Sequence, residues 1–351
     1  STGLGASFDY KSYLAKSDIY SVISYPEIKV VASGQGSKLK QSLFWLKQRF
    51  EGAIEKILPE PQAAFLAGLT LGEKKELSQE LTEAFKKTGT THIVALSGYN
   101  ISIIAGFFMT IFGWFMLRRS LRFWLAVVAI IFFTVLTGAS ASVVRAAIMG
   151  ILVLVARQEG RMYNVRNALA FAGAVMIFIN PKILRFDIGF QLSFGATMGL
   201  VWLAPVFEKW FVKLPRALGL KEILIATLSA QLAVLPLLLV YFGQLSIVSP
   251  AANLVVLVFV PWAMLIGFLA GSAAMIWLAL GKIFGWLAWL ILTFEIKAIE
   301  FFASLPLASV KISWGWLSVT IYYLVLVAFL YRFFAKQKSR ILVESYASDS
   351  Q

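Results

Sequence analysis

Residues 223–242 read ILIATLSAQLAVLPLLLVYF, twenty positions without one charge, with Lys221 and Glu222 just before them and Gly243 just after. A helix of about 20 residues spans the ~30 Å hydrocarbon layer of a bilayer, so the stretch reads as a membrane-crossing helix. The rest of the chain agrees. Of its 351 residues, 59% are hydrophobic and 14% charged, with a mean hydropathy of +0.79. Soluble domains average about 45–50% apolar and about 25% charged residues. A water-soluble fold of this size has nowhere to bury so much apolar side chain, whereas lipid solvates it.

Outward from that run, about nine stretches approach spanning length, at 93–117, 121–137, 141–156, 167–180, 188–206, 223–242, 248–278, 283–304 and 315–334. The third and fourth are short. Pro236 lies inside the sixth, and Pro261 interrupts the long seventh. Broken helices at membrane depth are tolerated where they face protein or a water-filled cavity. Small residues four apart, at Ala146/Gly150, Gly195/Gly199, Gly267/Gly271 and Gly281/Gly285, permit close helix contacts. The expected fold is an all-α polytopic membrane protein of about nine transmembrane helices with a small N-terminal β/α portion.

Residues 1–36 look soluble, and Ile19–Ser24 and Glu27–Val31 read as two short strands around Tyr25-Pro26. Over 37–92 the period becomes helical. Leu39, Leu43, Leu46, Phe50, Ile54 and Ile57 form an apolar stripe, with Lys40, Lys47, Arg49 and Lys56 elsewhere on the surface. Such a helix lies on a membrane surface or packs on its neighbours, and the pattern leaves both open. Ala63–Leu71 is apolar but too short to span. A further helix is expected from Leu77 to Lys87, capped by Ser78 and stopped by Gly89. The transmembrane part then covers 93–335, and 336–351 form a tail.

The net charge of +14 is mostly topology. With 1–92 outside, 15 Lys and Arg residues fall at the inward ends of the spans, among them Arg118, Arg119, Arg157, Lys209, Lys282, Arg332 and Lys336. The outward loops carry only Lys182, Arg185 and Lys311. The positive-inside rule puts the 15 and the tail in the cytoplasm. Residues 1–92 hold 12 Lys and Arg against 10 Asp and Glu. The basicity therefore gives no argument of its own for nucleic acid.

No catalytic set is visible. Cysteine is absent, and His92 is the single histidine, standing at the mouth of the first span with a structural role expected. A metal site and a Ser-His-Asp arrangement both lack their parts. Gly68–Lys75 has neither the spacing nor the Ser/Thr of a P-loop. The informative residues are polar groups inside apolar runs: Ser97, Gly98, Asn100 and Ser102 in the first, Asp187, Gln191 and Ser193 in the fifth, Gln231 in the sixth and Asn253 in the seventh. Arg145 sits near the start of the third, where an intramembrane charge is costly and points to function. Its alternatives are snorkelling to the interface or pairing with Asp187. Glu295, Lys297 and Glu300 read as an ion-paired group on one helix.

At these residues the chain resembles a known family. His92-Ile-Val-Ala-Leu-Ser-Gly-Tyr-Asn100 is similar to the H-L-L-A-I-S-G-L-H signature of the ComEC competence proteins. Gly138–Met149 resembles their S-x-x-R-A-x-x-M segment, and Asp187–Phe194 matches D-x-G-F-Q-L-S-F closely. Pro236, Ser249–Leu254 and Pro261 follow the later P…N-L…P pattern, and Phe8–Leu14 is similar to the end of the family's extracellular OB-like domain. Asn100 stands where the family often has a second histidine, which puts any imidazole role there in doubt. The metallo-β-lactamase-like nuclease of longer members is not seen.

The resemblance implies an inner-membrane channel that passes single-stranded DNA to the cytoplasm during natural transformation. It makes the polar groups above the lining of the path, with His92, Pro236 and Pro261 at its entrance or structural. It also implies an extracellular DNA receptor, a cytoplasmic ATPase or helicase motor and, for the second strand, a nuclease elsewhere. No cofactor is expected. A small-solute or lipid transporter on the same bundle and an outer-face DNA receptor are the competing readings.

Overall fold

The computed structural model describes residues 14–349 except 16–17, 24, 28, 30–36, 74–76 and 213–218, and within 95–116 only 98, 100, 101, 103, 106, 110 and 114. Three helices open the described chain: α1 (Lys38–Ile57), α2 (Gln62–Leu71) and α3 (Gln79–Thr88). The apolar helices follow as α4 (Arg119–Leu136), α5 (Ala141–Gln158), α6 (Val165–Ile179), α7 (Ile188–Trp202), α8 (Ala204–Trp210), α9 (Leu220–Phe242), α10 (Ser249–Val256), α11 (Val260–Ile276), α12 (Leu278–Ser304) and α13 (Trp316–Asp349). A two-stranded antiparallel ribbon pairs β1 (Gln244–Ser246) with β2 (Ser309–Lys311).

The chain is all-α and polytopic. Among the described residues α4, α5, α9, α12 and the first part of α13 are each long and apolar enough to cross a membrane. Two bent pairs, α7–α8 at 44° and α10–α11 at 43°, raise the spans to seven if each counts as one. Two of the nine expected runs fall outside this count. At 15 residues α6 is shorter than a full crossing, and the run 93–117 falls mostly outside the described residues. The break in the seventh run lies where expected, because Pro261 occupies the first turn of α11, where its missing N–H costs nothing.

The strands expected near the N terminus do not form among the described residues of 19–29. Tyr20, Val22, Ile23 and Tyr25 are all exposed, and a hairpin with no packed face is marginal in water. Phe8–Tyr13 lie outside the described residues. Downstream, α3 matches its sequence signals. Ser78 Oγ accepts the Leu81 N–H at 3.2 Å, and Gly89 closes the helix in a left-handed conformation.

The apolar stripe of α1 packs on its neighbours, while Phe44 and Trp45 of the same helix stay exposed. Leu43, Phe50, Ala53 and Ile54 are buried. Gly271 lets the Phe50 ring so close that a Cβ there would lie 2.6 Å from it, and Gly267 makes the same room for Leu66. The small residues of α11 thus seat α1 and α2 against the α11–α12 hairpin, giving the largest apolar core. On the other side of the molecule, Gly199 of α7 faces the Ser229 backbone and lies 2.6 Å, measured from a built Cβ, from the Ala233 methyl of α9.

Pro236 interrupts no more than the hydrogen bonding of α9. Lacking an N–H, it frees the Leu232 carbonyl, and the Tyr322 hydroxyl of α13 donates to that oxygen at 2.9 Å. Tyr323 donates to the next carbonyl, Ala233, at 3.0 Å. A proline in one span and a tyrosine pair in another thereby dock α13 onto the bundle.

Candidate functional site

The Arg145 side chain leaves α5 for the interior of the bundle. It is 9% exposed, so it does not snorkel, and no carboxylate among the described residues pairs with it. Its guanidinium donates to the Ser193 carbonyl on α7 and lies 5.8 Å over the Phe194 ring. A Cβ built on Gly98 would lie 3.3 Å from the same guanidinium, so the absent side chain at 98 makes room for the cation. Three segments far apart in sequence therefore meet at Arg145. Its Nε is buried without a hydrogen-bond partner. Asp187, considered as its partner, instead caps α7 by accepting the Phe190 N–H at 2.9 Å.

One turn earlier on α7, Gln191 donates to the Leu184 and Arg185 carbonyls at 2.9 and 3.1 Å and accepts the Tyr241 hydroxyl at 2.7 Å. Tyr241 belongs to α9, which also carries Gln231. The Gln231 amide donates to the Ser246 carbonyl at the end of β1 at 3.1 Å. Ser246 and Ser249 both crowd Gly89, and Ser249 Oγ accepts the Asn253 amide at 3.2 Å. These contacts fall in separate groups, Arg145 with Ser193, Gln191 with Tyr241, and Gln231 with Ser246 beside Ser249 and Asn253, which together make up a polar seam on α5, α7, α9, the ribbon and α10. Along it Ser229 Oγ, Gln231 Oε1, Ser246 Oγ and Asn253 Oδ1 are buried without a partner. Each such group costs about 1–3 kcal/mol in desolvation, which an apolar side chain of like shape would avoid.

Not every expected residue joins the seam. Asn100 is buried and donates to the Leu69 carbonyl of α2 at 3.1 Å, which ties this position to the apolar core. His92 is exposed, with Nδ1 3.1 Å from the Gly89 carbonyl oxygen. No cluster among the described residues suits a metal ion. Ser97 and Ser102 lie outside the described residues. Pro236 lies inside α9 and Pro261 in the first turn of α11. Lys297 pairs with Glu300 at 2.7 Å, but Glu295 stays out of that pair and is fully buried, which corrects the expected ion-paired group. Tyr241, Ser229 and Ser246 carry no distinguishing signal in the sequence, because a lone hydroxyl in or beside an apolar run is ordinary in a membrane helix.

The fold defines a polytopic helical membrane protein in which, among the described residues, Arg145 is a cation buried between α5 and α7. The family model described as Competence protein matches residues 69–337, and the chain belongs to that family, the ComEC-type competence proteins. It is similar to ComE operon protein 3 of Bacillus subtilis (strain 168), with 29% identity over 269 residues, covering 75% of this chain and 33% of that protein. It is also similar to Competence protein ComA of Neisseria gonorrhoeae, 26% identical over 223 residues, covering 59% and 30%. The chain thus spans about a third of the length of these curated relatives. No solved structure gives a significant match.

Proposed function

We propose that this chain is the membrane channel through which single-stranded DNA enters the cytoplasm during natural transformation. Membership of the competence family supports a role in DNA uptake. The observation that carries the finer reading is Arg145, a guanidinium inside the bundle with no carboxylate to neutralise it among the described residues. A polyanion crossing ~30 Å of hydrocarbon must exchange phosphate hydration for protein groups. Arg145 supplies positive charge, while the Gln231 and Asn253 amides and the seam hydroxyls supply hydrogen bonds. In the closed arrangement these groups bond to one another or stay unpaired. Opening the seam between α7, α9 and α10 turns them toward the strand. With no nucleotide-binding motif in the sequence, the driving force comes from a separate cytoplasmic motor. A receptor outside delivers the DNA, and degradation of the second strand falls to a nuclease domain or protein.

The orientation proposed has residues 1–92 outside and the tail inside, following the basic residues at the span ends. The two bent helix pairs favour a second reading, a transporter of small solutes or lipids, since such breaks often mark substrate sites. Purified protein in liposomes separates the two by uptake of labelled single-stranded DNA. Arg145→Ala is expected to lower that uptake roughly tenfold, equivalent to about 1.4 kcal/mol, with an unchanged amount of protein in the membrane. Unchanged uptake removes Arg145 from the path, and no uptake by the parent chain removes the channel reading.

A further inference from the structure

Glu295 lies on α12, in the stripe that also buries Ala288, Leu292, Ile296 and Ile299. It is 0% exposed, and neither carboxyl oxygen has a hydrogen-bond partner. Its neighbours in the stripe belong to the apolar core built with α2, α11 and the end of α10. None of these three helices contains an Asp, Glu, Lys, Arg, His or Tyr.

Ionisable groups on the other packed elements face elsewhere. Lys297 pairs with Glu300, their side chains 72% and 43% exposed. Glu80, Glu83 and Lys87 of α3 line a groove with Glu300, Ala303 and Ser304 at the end of α12. α1 meets α12 where Ile57 faces Gly285, ten residues before Glu295. Its Lys47 is engaged by Glu73 at 3.1 Å, and its Arg49 reaches toward the Met275 carbonyl at 3.5 Å. The first span brings no charge, since residues 93–117 contain no Asp, Glu, Lys, Arg or His.

A carboxyl group survives such surroundings as an ion pair, as an acceptor of several hydrogen bonds, or as the neutral acid. Among the described residues the first two have no supplier at Glu295. A leucine of similar volume would fill the same space with no polar group to desolvate.

We propose that Glu295 is a proton-binding site within the bundle. It carries its proton while α12 is packed on α2 and α11, and gives the proton up when these helices part and water enters. The ligand is the proton itself, so rearrangement of this half of the molecule is tied to proton uptake and release. The inference stands apart from DNA translocation.

The test is infrared spectroscopy of the full chain in phospholipid vesicles at neutral pH, where exposed glutamates are ionised. A carbonyl band of a protonated carboxyl group is expected. It should vanish in Glu295→Gln, persist in Glu300→Gln and shift in Glu295→Asp, the last serving as the reading if the glutamine variant fails to assemble. In heavy water the band should move to its deuterated position slowly, because exchange waits for the helices to separate. Absence of the band, its persistence in Glu295→Gln, or exchange as fast as solvent mixing would each overturn the proposal.

Discussion

The two halves of the bundle hold together in opposite ways. Around α1, α2, α11 and α12 the contacts are apolar and continuous, with glycines letting phenylalanine and leucine side chains sit against helix backbones. Around α5, α7 and α9 the apolar clusters are smaller and separate, and the space between them is crossed by amides, hydroxyls and one guanidinium. The contrast lies in how the packing is divided. The first half packs as one continuous apolar core even though it buries Glu295 and Gln62 Oε1 without partners, whereas the second divides into smaller clusters with unpartnered amides and hydroxyls between them.

Removing Phe65 should break the contrast most visibly. It is fully buried, with its ring centroid 5.5 Å from that of Phe85, so Phe65→Ala should destabilise the protein by about 3–5 kcal/mol. Transport per folded molecule should stay unchanged. Unfolding in mixed micelles gives the first quantity, and liposome uptake normalised to folded protein gives the second. A fall in normalised uptake would show that the two halves are not separable.

A smaller effect is expected at the junction of α9 and α13. Tyr322→Phe leaves the Leu232 carbonyl without its donor and should cost about 1 kcal/mol. In a Pro236→Ala background the cost should shrink, since α9 then supplies its own N–H. A double-mutant cycle on the unfolding midpoint reads the coupling, and additive costs would refute it. At the bottom of the scale stands the Lys297–Glu300 pair. Because it lies on the outside of the bundle near the end of α12, Lys297→Ala should change stability by less than about 0.5 kcal/mol, within the error of the same measurement. A larger change would mean that the pair also holds Glu295 in place.

Much of the fold was legible because local chemistry decides it. Ser78 and Gly89 bound α3 in sequence as they do in space, Pro261 marks the bend between α10 and α11, and residues 223–242 form a helix that carries its proline inside. Other features depend on partners that no local pattern names. The amphipathic stripe of α1 serves a membrane surface as well as a glycine-lined helix, and only the fold brings Gly267 and Gly271 opposite it. Glu295 sits on a helix that is apolar almost all round, so nothing in its neighbours told the buried face from the lipid face. The Arg145 site was half visible. A charge in an apolar run announced itself, while its acceptor is a backbone carbonyl 48 residues away, which has no side-chain signature.

The β1–β2 ribbon has a mechanical consequence. Backbone pairing of Gln244 with Lys311, Leu245 with Val310 and Ser246 with Ser309 staples the chain before α10 to the chain after α12, so the intervening helices form a loop closed at its neck. The Gln231 amide grips this neck through the Ser246 carbonyl. Any swing of the α10–α12 loop therefore pulls directly on the middle of α9, and a push against α9 tilts the loop as one lever.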